Sequence, residues 1–250
     1  MSTKNNNITT FRRLMDNDPT LEEMRIAQTY PSNVNDDNIA YISPRGQTGW
    51  KMAGEHIGNN NTCQKLVICW LDAKYVEVFM NGVKRNNNID GLIFVNWDVL
   101  HGDVFPHMKL WLENNNQLIM LQLVRCPIGH EGIHLLASAL TGGTSLEHIA
   151  IRNCSIDDDH DTSIEELVSV LSLNRTLCRL DLSQNNIGTR GSYALTSMLS
   201  NPTCELKTLN LSHNDIGDEG IMYLAQGLAK NDKLAVLDIT NGNTPKDGIT

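Results

Sequence analysis

One spacing of apolar residues recurs along the second half of this chain and limits what it can fold into. The template is L-x-x-L-x-L-x-x-[NC]-x-[LI], and its most regular copies start at Leu177 and Leu206. Further copies start at Leu118, Leu146 and Leu234, so consecutive starts lie 28, 31, 29 and 28 residues apart. Repeats of this length predict a solenoid in which each unit is stable only when it stacks on its neighbours.

A glycine recurs in the same phase, 11 residues after the second apolar position of a unit, at Gly132, Gly191, Gly220 and Gly248. The L-x-L alternation is typical of a short strand with one apolar face, and apolar residues at helical spacing follow the glycine. We expect the Asn of the template to bond backbone groups of neighbouring coils as a ladder, with Cys as its small buried substitute. The glycine predicts tight packing or unusual dihedral angles at the helix start.

Weaker copies precede the regular ones, with apolar positions at Leu92, Val95 and Trp97, at Leu66, Cys69 and Leu71, and at Leu21, Met24 and Ile26. The last of these copies predicts a degenerate first unit, followed by an insertion at residues 31–48. We therefore expect an irregular N-terminal capping region at residues 1–64. Residues 65–250 then form a solenoid of about seven units, the last one incomplete.

Units of 28 to 29 residues with this template and a following helix resemble the ribonuclease-inhibitor-like class of leucine-rich repeats. That class also includes the sensor end of NOD-like receptors and the Ran GTPase-activating proteins. The resemblance covers residues 64–250 and implies an α/β fold, a right-handed solenoid or horseshoe. A parallel sheet would line its concave face and helices its convex face. The resemblance also implies recognition of a partner protein, whose identity it does not give.

Side chains alternate across a strand, so the residues between the leucines predict the partner-binding surface on the concave face. The predicted contacts are Ile68, Trp70, Phe94, Asp98, Met120, Gln122, His148, Arg152, Arg179 and Asp181. They predict an apolar and aromatic patch flanked by acids, with a basic spot beside it. In the other interpretation the weak units are out of register, and Trp70 and Phe94 belong to the core.

Composition argues against several other partners and sites. The net charge of -9 disfavours nucleic acid and anionic membranes, which attract clustered Lys and Arg. No secretory signal and no apolar stretch of about 18 residues is present, which predicts a cytoplasmic protein that does not enter a membrane. The six cysteines include no C-x-x-C pair, so we expect reduced thiols.

No catalytic motif is present, which predicts that the chain is not an enzyme and has no cofactor. The acidic run at residues 157–161 is read as a solvated turn, with a divalent-cation site as the alternative. His130 and His134 are four residues apart without a third ligand, so no metal site is predicted. The asparagine runs at residues 59–61, 86–88 and 114–116 predict turns between repeats.

Two functional alternatives remain beside a general protein-interaction module. One is a GTPase-activating or other small-GTPase regulator resembling the Ran class, and the other is an actin-binding repeat domain. The last unit starts at Leu234 and stops at Thr250 without its helix. We expect the chain to be part of a longer array, or its uncapped C-terminal repeat to make an end-to-end contact with another chain.

Overall fold

The computed structural model describes residues 13, 16–27, 39–69, 71–96, 107, 109–112, 115, 117–141, 145–156 and 162–241. Within these residues nine strands form one parallel sheet in the order β2-β1-β3-β4-β5-β6-β7-β8-β9. The strands are β1 (Glu23–Ala27), β2 (Ile39–Ile42), β3 (Lys65–Cys69), β4 (Gly91–Val95), β5 (Met120–Val124), β6 (His148–Arg152), β7 (Arg179–Asp181), β8 (Thr208–Asn210) and β9 (Val236–Asp238).

Six helices of the described segments back this sheet. They are α1 (Gly46–Asn59), α2 (Ala73–Val83), α3 (Gly129–Leu140), α4 (Ser163–Leu171), α5 (Thr189–Leu199) and α6 (Gly217–Leu228). The inward leucines of the strands and the apolar faces of the helices form one buried cluster. The fold is therefore the predicted α/β leucine-rich-repeat solenoid.

The first two strands depart from a simple solenoid order. Met24 of β1 is the neighbour of Leu66 on β3, so the degenerate first unit belongs to the sheet. β2 lies inside the segment predicted as an insertion, pairs with the other side of β1 and forms the sheet edge. The boundary at residue 64 stays a prediction, although strands from both sides of it share one sheet.

The predicted register is wrong for the two weak units that precede the regular ones. Leu92 aligns with Leu121, and Leu66 aligns with Leu92. Each is thus the second apolar position of its unit, not the first. The units begin three residues earlier, at the fully buried Cys63 and Ile89. Because strand side chains alternate with a period of two, this odd shift exchanges the core and surface faces.

Two backbone features recur in the corrected phase. An asparagine three residues before the first apolar position accepts bonds from nearby backbone N–H groups at Asn60, Asn86, Asn115, Asn174 and Asn231. These bonds confirm the predicted inter-repeat turns at the first three of those residues. A residue with positive φ follows the strand in six units, at Asn96, Arg125, Asn153, Gln184, His213 and Asn241.

The Asn and Cys positions of the template form the predicted ladder. Asn185 Nδ2 donates to the carbonyls of Ile151 (2.7 Å) and Leu182 (2.9 Å), and its Oδ1 accepts from the Cys154 N–H (2.9 Å). The Cys154 thiol continues the ladder with a weak bond to the Leu123 carbonyl at 3.4 Å. Burial raises the pKa of this thiol to about 12, so it remains a protonated donor at neutral pH.

At Gly220, the recurring glycine of the unit allows two helices to pack closely. A Cβ added to Gly220 would lie 2.8 Å from Ser192 Oγ and 2.9 Å from Ile216 Cγ2. Gly220 does not have a positive φ, so packing and not an unusual dihedral angle explains the residue. The missing side chain lets α6 approach α5 closely.

Candidate functional site

One face of the sheet packs on the helices, and the alternate side chains form the other, here called the sheet face. Equivalent positions on successive strands form columns across this face. The first column contains Glu23, Lys65, Gly91, Met120, His148, Arg179, Thr208 and Val236. Its second column contains Arg25, Val67, Ile93, Gln122, Ala150, Asp181, Asn210 and Asp238. Its third column contains Ala27, Cys69, Val95, Val124 and Arg152.

The structure brings six of the ten predicted contact residues together on the sheet face: Met120, Gln122, His148, Arg152, Arg179 and Asp181. They occupy three adjacent strands, β5, β6 and β7. Arg179 is exposed and the other five are partly exposed, so a partner could contact all of them. Their role in binding stays a prediction.

The predicted place of Ile68 and Phe94 on the sheet face is wrong. Ile68 aligns with Phe94, and Phe94 aligns with the core residue Leu123. Both side chains are 0% exposed. The alternative interpretation, that Phe94 belongs to the core, is confirmed. The remaining predicted contacts, Trp70 and Asp98, lie outside the described residues.

Aliphatic side chains take the places that the wrong register gave to Ile68 and Phe94. Val67, Ile93, Val95 and Val124 lie next to one another across β3, β4 and β5, and we call them the apolar strip. Val67 is 6% exposed, and the other three are partly exposed. Asn60 and Asn86, each three residues before the first apolar position of a weak unit, were the sequence signal for the correct register.

A polar cluster lies beside the apolar strip and joins three strands; we call it the arginine cluster. Arg152 Nη2 donates to Gln122 Oε1 at 3.3 Å, and Arg152 Nε lies 3.7 Å from Asp181 Oδ2. Gln122 Nε2 in turn donates to Met120 Sδ at 3.3 Å. The 3.7 Å between Arg152 Nε and Asp181 Oδ2 fits an ion pair but is too long for a hydrogen bond. Arg152 Nε is therefore buried without a hydrogen-bond partner. His148 Nδ1, at the first residue of β6, is also buried without a hydrogen-bond partner.

Ala150 lies at the centre of this cluster and explains its geometry. Gln122 and Asp181 are the Cα partners of Ala150 on the two neighbouring strands. Since the Arg152 guanidinium reaches both, it folds back along β6 and lies over the alanine. Ala150 is only 7% exposed although it faces outward, which agrees with this cover.

The C-terminal strands present polar groups that are already bonded locally. Asn210 Oδ1 accepts from the Ser212 N–H (2.9 Å) and hydroxyl (2.8 Å), and Asp238 Oδ1 accepts likewise from Thr240. The Thr240 N–H and hydroxyl lower the pKa of Asp238, so the carboxylate stays charged. These side chains have less bonding capacity left for a partner than Arg152 has.

The other constellations seen in the sequence do not form a site in the described part of the chain. His134 Nδ1 lies 2.8 Å from Glu166 Oε2 on the next helix, within hydrogen-bond distance on the helical side. No group of three metal-ligating side chains occurs among the residues that the structure describes. The acidic run at 157–161 lies outside them. A cleft of about 520 Å³ lies at one rim, between Arg175, Cys178 and Lys207.

All six cysteines are free, and four of them are buried. In the described segments, no helix combines the length and the apolar character needed to cross a membrane. The predicted end-to-end contact involves the last unit, of which residues 242–250 lie outside the described residues.

Comparison with known proteins finds the same repeats. A family model described as "Leucine Rich repeat" matches residues 173–195 and 204–225. NACHT, LRR and PYD domains-containing protein 5 of Mus musculus is 35% identical over 130 residues, which are 52% of this chain and 11% of that protein. Ribonuclease inhibitor of Sus scrofa is 37% identical over 106 residues, or 42% of this chain and 23% of that protein.

A second ribonuclease inhibitor, from Mus musculus, is 34% identical over 139 residues, or 55% of this chain and 30% of that protein. The chain thus spans less than a third of the length of these relatives. Among solved structures, the TLR13–ssRNA13 complex is similar over 89% of this chain and 36% of that chain, at 15% identity and a TM-score of 0.40.

Three observations agree on the class of repeat in this chain. The strand, ladder and helix of each unit recur with the spacing of the template. The family model matches two consecutive units, and the similar proteins include both NACHT, LRR and PYD domains-containing proteins and ribonuclease inhibitors. The chain is a leucine-rich-repeat solenoid whose repeats are similar to those of the ribonuclease-inhibitor-like class.

Proposed function

We propose that this chain is a protein-interaction module, not an enzyme, and that it binds a partner protein through its concave sheet face. The observation that carries the proposal is the sheet face itself. There the apolar strip lies directly beside the arginine cluster on adjacent strands. Protein interfaces commonly combine an apolar centre with a few charged anchors such as Arg.

The relatives support this proposal at the level of the family. Two of them are ribonuclease inhibitors, whose name states that they act on another protein. For this chain the partner is unidentified, and a cytoplasmic location is part of the proposal. The free thiols are compatible with a reducing compartment.

The proposal is tested by quantitative affinity capture from native lysate with three versions of the chain. One is unchanged, one carries Met120→Glu and Arg179→Glu on the sheet face, and one carries Tyr193→Ala on α5. Tyr193 is 59% exposed on the helical side, so its substitution controls for surface changes in general. We expect proteins that the unchanged chain enriches to be lost with the sheet-face variant and retained with the Tyr193 variant.

Circular dichroism and thermal unfolding verify that all three versions fold. The opposite result, with capture retained by the sheet-face variant and lost by Tyr193→Ala, would place binding on the helices and contradict the proposal. The two alternative functions stay predictions. A GTP hydrolysis assay with a panel of small GTPases tests one, and an actin-elongation assay tests the other.

A further inference from the structure

We propose that the arginine cluster is a receptor for a single carboxylate side chain, so that the partner must present an Asp or Glu to Arg152. The inference rests on the proposed function, because it names the chemistry of the partner at the same face. It concerns one anchor within the interface and leaves the rest of the partner open.

The guanidinium of Arg152 is held in place before any partner arrives. Gln122 accepts a bond from Nη2 on one side, and Asp181 attracts Nε from the other side at 3.7 Å. The small side chain of Ala150 leaves the space in which the guanidinium lies. A positioned guanidinium loses less conformational freedom on binding than a mobile one does.

The same guanidinium has unused bonding capacity. Arginine carries five N–H donors, and the hydrogen bond to Gln122 uses one donor on Nη2. Nε is buried without a partner, since Asp181 lies beyond hydrogen-bond range. The donors on the terminal nitrogens match the two oxygens of a carboxylate, which arginine binds in a bidentate manner.

Charge at this spot differs in sign from the chain as a whole. Arg179 is exposed on β7 beside His148, and together with Arg152 it outweighs the single carboxylate of Asp181. This local excess of positive charge lies on a chain whose net charge is -9. An acidic group is therefore attracted to the arginine cluster and repelled by much of the remaining surface, which favours one orientation of the partner.

The test uses a phage-displayed library of random linear peptides, fused by their C-terminal ends so that none has a free carboxyl terminus. Selection is carried out against the unchanged chain, Arg152→Gln and the matched control Arg175→Gln. Arg175 is an exposed arginine outside the sheet face. We expect Asp or Glu at one fixed position in peptides selected on the unchanged chain and on the control, and loss of that preference on Arg152→Gln.

Synthetic peptides from the selection then supply a double-mutant cycle by calorimetry. Changing the acidic residue to its amide, or Arg152 to Gln, should weaken binding roughly tenfold or more. Both changes together should cost little beyond either one. Ala150→Leu retains the positive charge but fills the space under the guanidinium, and it should cause a similar loss.

Different failures separate the two proposals. Peptides that lose affinity on Met120→Glu but show no fixed acidic position would overturn this inference and leave concave-face binding supported. An equal loss of the acidic preference on Arg175→Gln would show general charge attraction and also overturn it. Peptides unaffected by every sheet-face substitution would contradict both proposals.

Discussion

At the scale of single residues, the ladder position shows why two chemically different side chains share one place in the template. The carboxamide of Asn185 both donates to and accepts from the backbone of the neighbouring coil, whereas the Cys154 thiol has a single hydrogen, within reach of the Leu123 and Arg152 carbonyls. Both are buried and fit the same space. The requirement is a small side chain that satisfies turned-in backbone groups, because an unsatisfied buried group costs free energy.

The first prediction concerns this ladder. Asn185→Ala should lower the free energy of unfolding by about 2–4 kcal/mol, since the Cys154 N–H and the Ile151 carbonyl lose their partner in a buried site. Asn185→Cys should lose less, because Cys fills this position in two other units. Urea denaturation measures both values. Asn186→Ala, on the adjacent exposed asparagine, is the control and should change stability little. Equal effects at the two asparagines would contradict the ladder's role.

At the scale of elements, the helices behind the N-terminal strands approach more closely than aliphatic side chains would allow. A Cβ on Gly54 of α1 would collide with the Phe79 backbone carbonyl of α2, and a Cβ on Gly58 with the Gly82 carbonyl. Trp50 of α1 packs edge-on against the Phe79 ring, with centroids 5.5 Å apart. Glycine and aromatic residues together fix the distance between these two helices.

A second prediction follows from that contact. Gly54→Ala should lower the free energy of unfolding by about 1–3 kcal/mol, because backbone must move to admit the methyl group. Gly49→Ala in the same helix is the matched control, since its Cβ would only touch Pro44 at 3.5 Å and 3.6 Å. There the higher helix propensity of alanine should raise stability by up to about 1 kcal/mol. Stabilisation by both changes in urea denaturation would show that the helices are not in close contact.

At the scale of the whole molecule, the sheet grows by addition of one coil at a time. From β3 to β9 every strand pairs with its neighbours in sequence. Interactions between coils are therefore local, and the stability of such an array is close to a sum of unit and nearest-neighbour contributions. The arrangement at β1 and β2 is the exception, because the edge strand is not the first in sequence.

The third prediction tests this locality by hydrogen exchange. Leu209→Ala in β8 removes a side chain that is 0% exposed and should destabilise its surroundings by about 2–5 kcal/mol. Amide exchange measured by mass spectrometry should accelerate in β7, β8 and β9 and change little in β3 and β4. Leu66→Ala, at the equivalent position of β3, should give the reverse pattern. Uniform acceleration along the chain in both variants would show a single cooperative unit instead.

The sequence by itself determined the architecture from Leu118 onward, together with the ladder and the turns between repeats. Those units repeat their marks at near-constant spacing, and only one register turns all the leucines of the template toward the helices. The sequence also identified Arg152 and the five residues around it as sheet-face residues, because they lie in regular units.

Only the tertiary structure decided the register before Leu118. β4 has apolar side chains on both faces, Leu92 and Phe94 inside and Ile93 and Val95 outside, so the alternation that marks the buried face is absent. A three-residue displacement then goes unnoticed, and it turns every side chain over because the period of a strand is two. The position of the Arg152 guanidinium over Ala150 also depends on neighbouring strands, since its contacts on Gln122 and Asp181 lie 30 residues before and 29 residues after it. Contacts between coils set such geometry, and no local pattern in the chain encodes them.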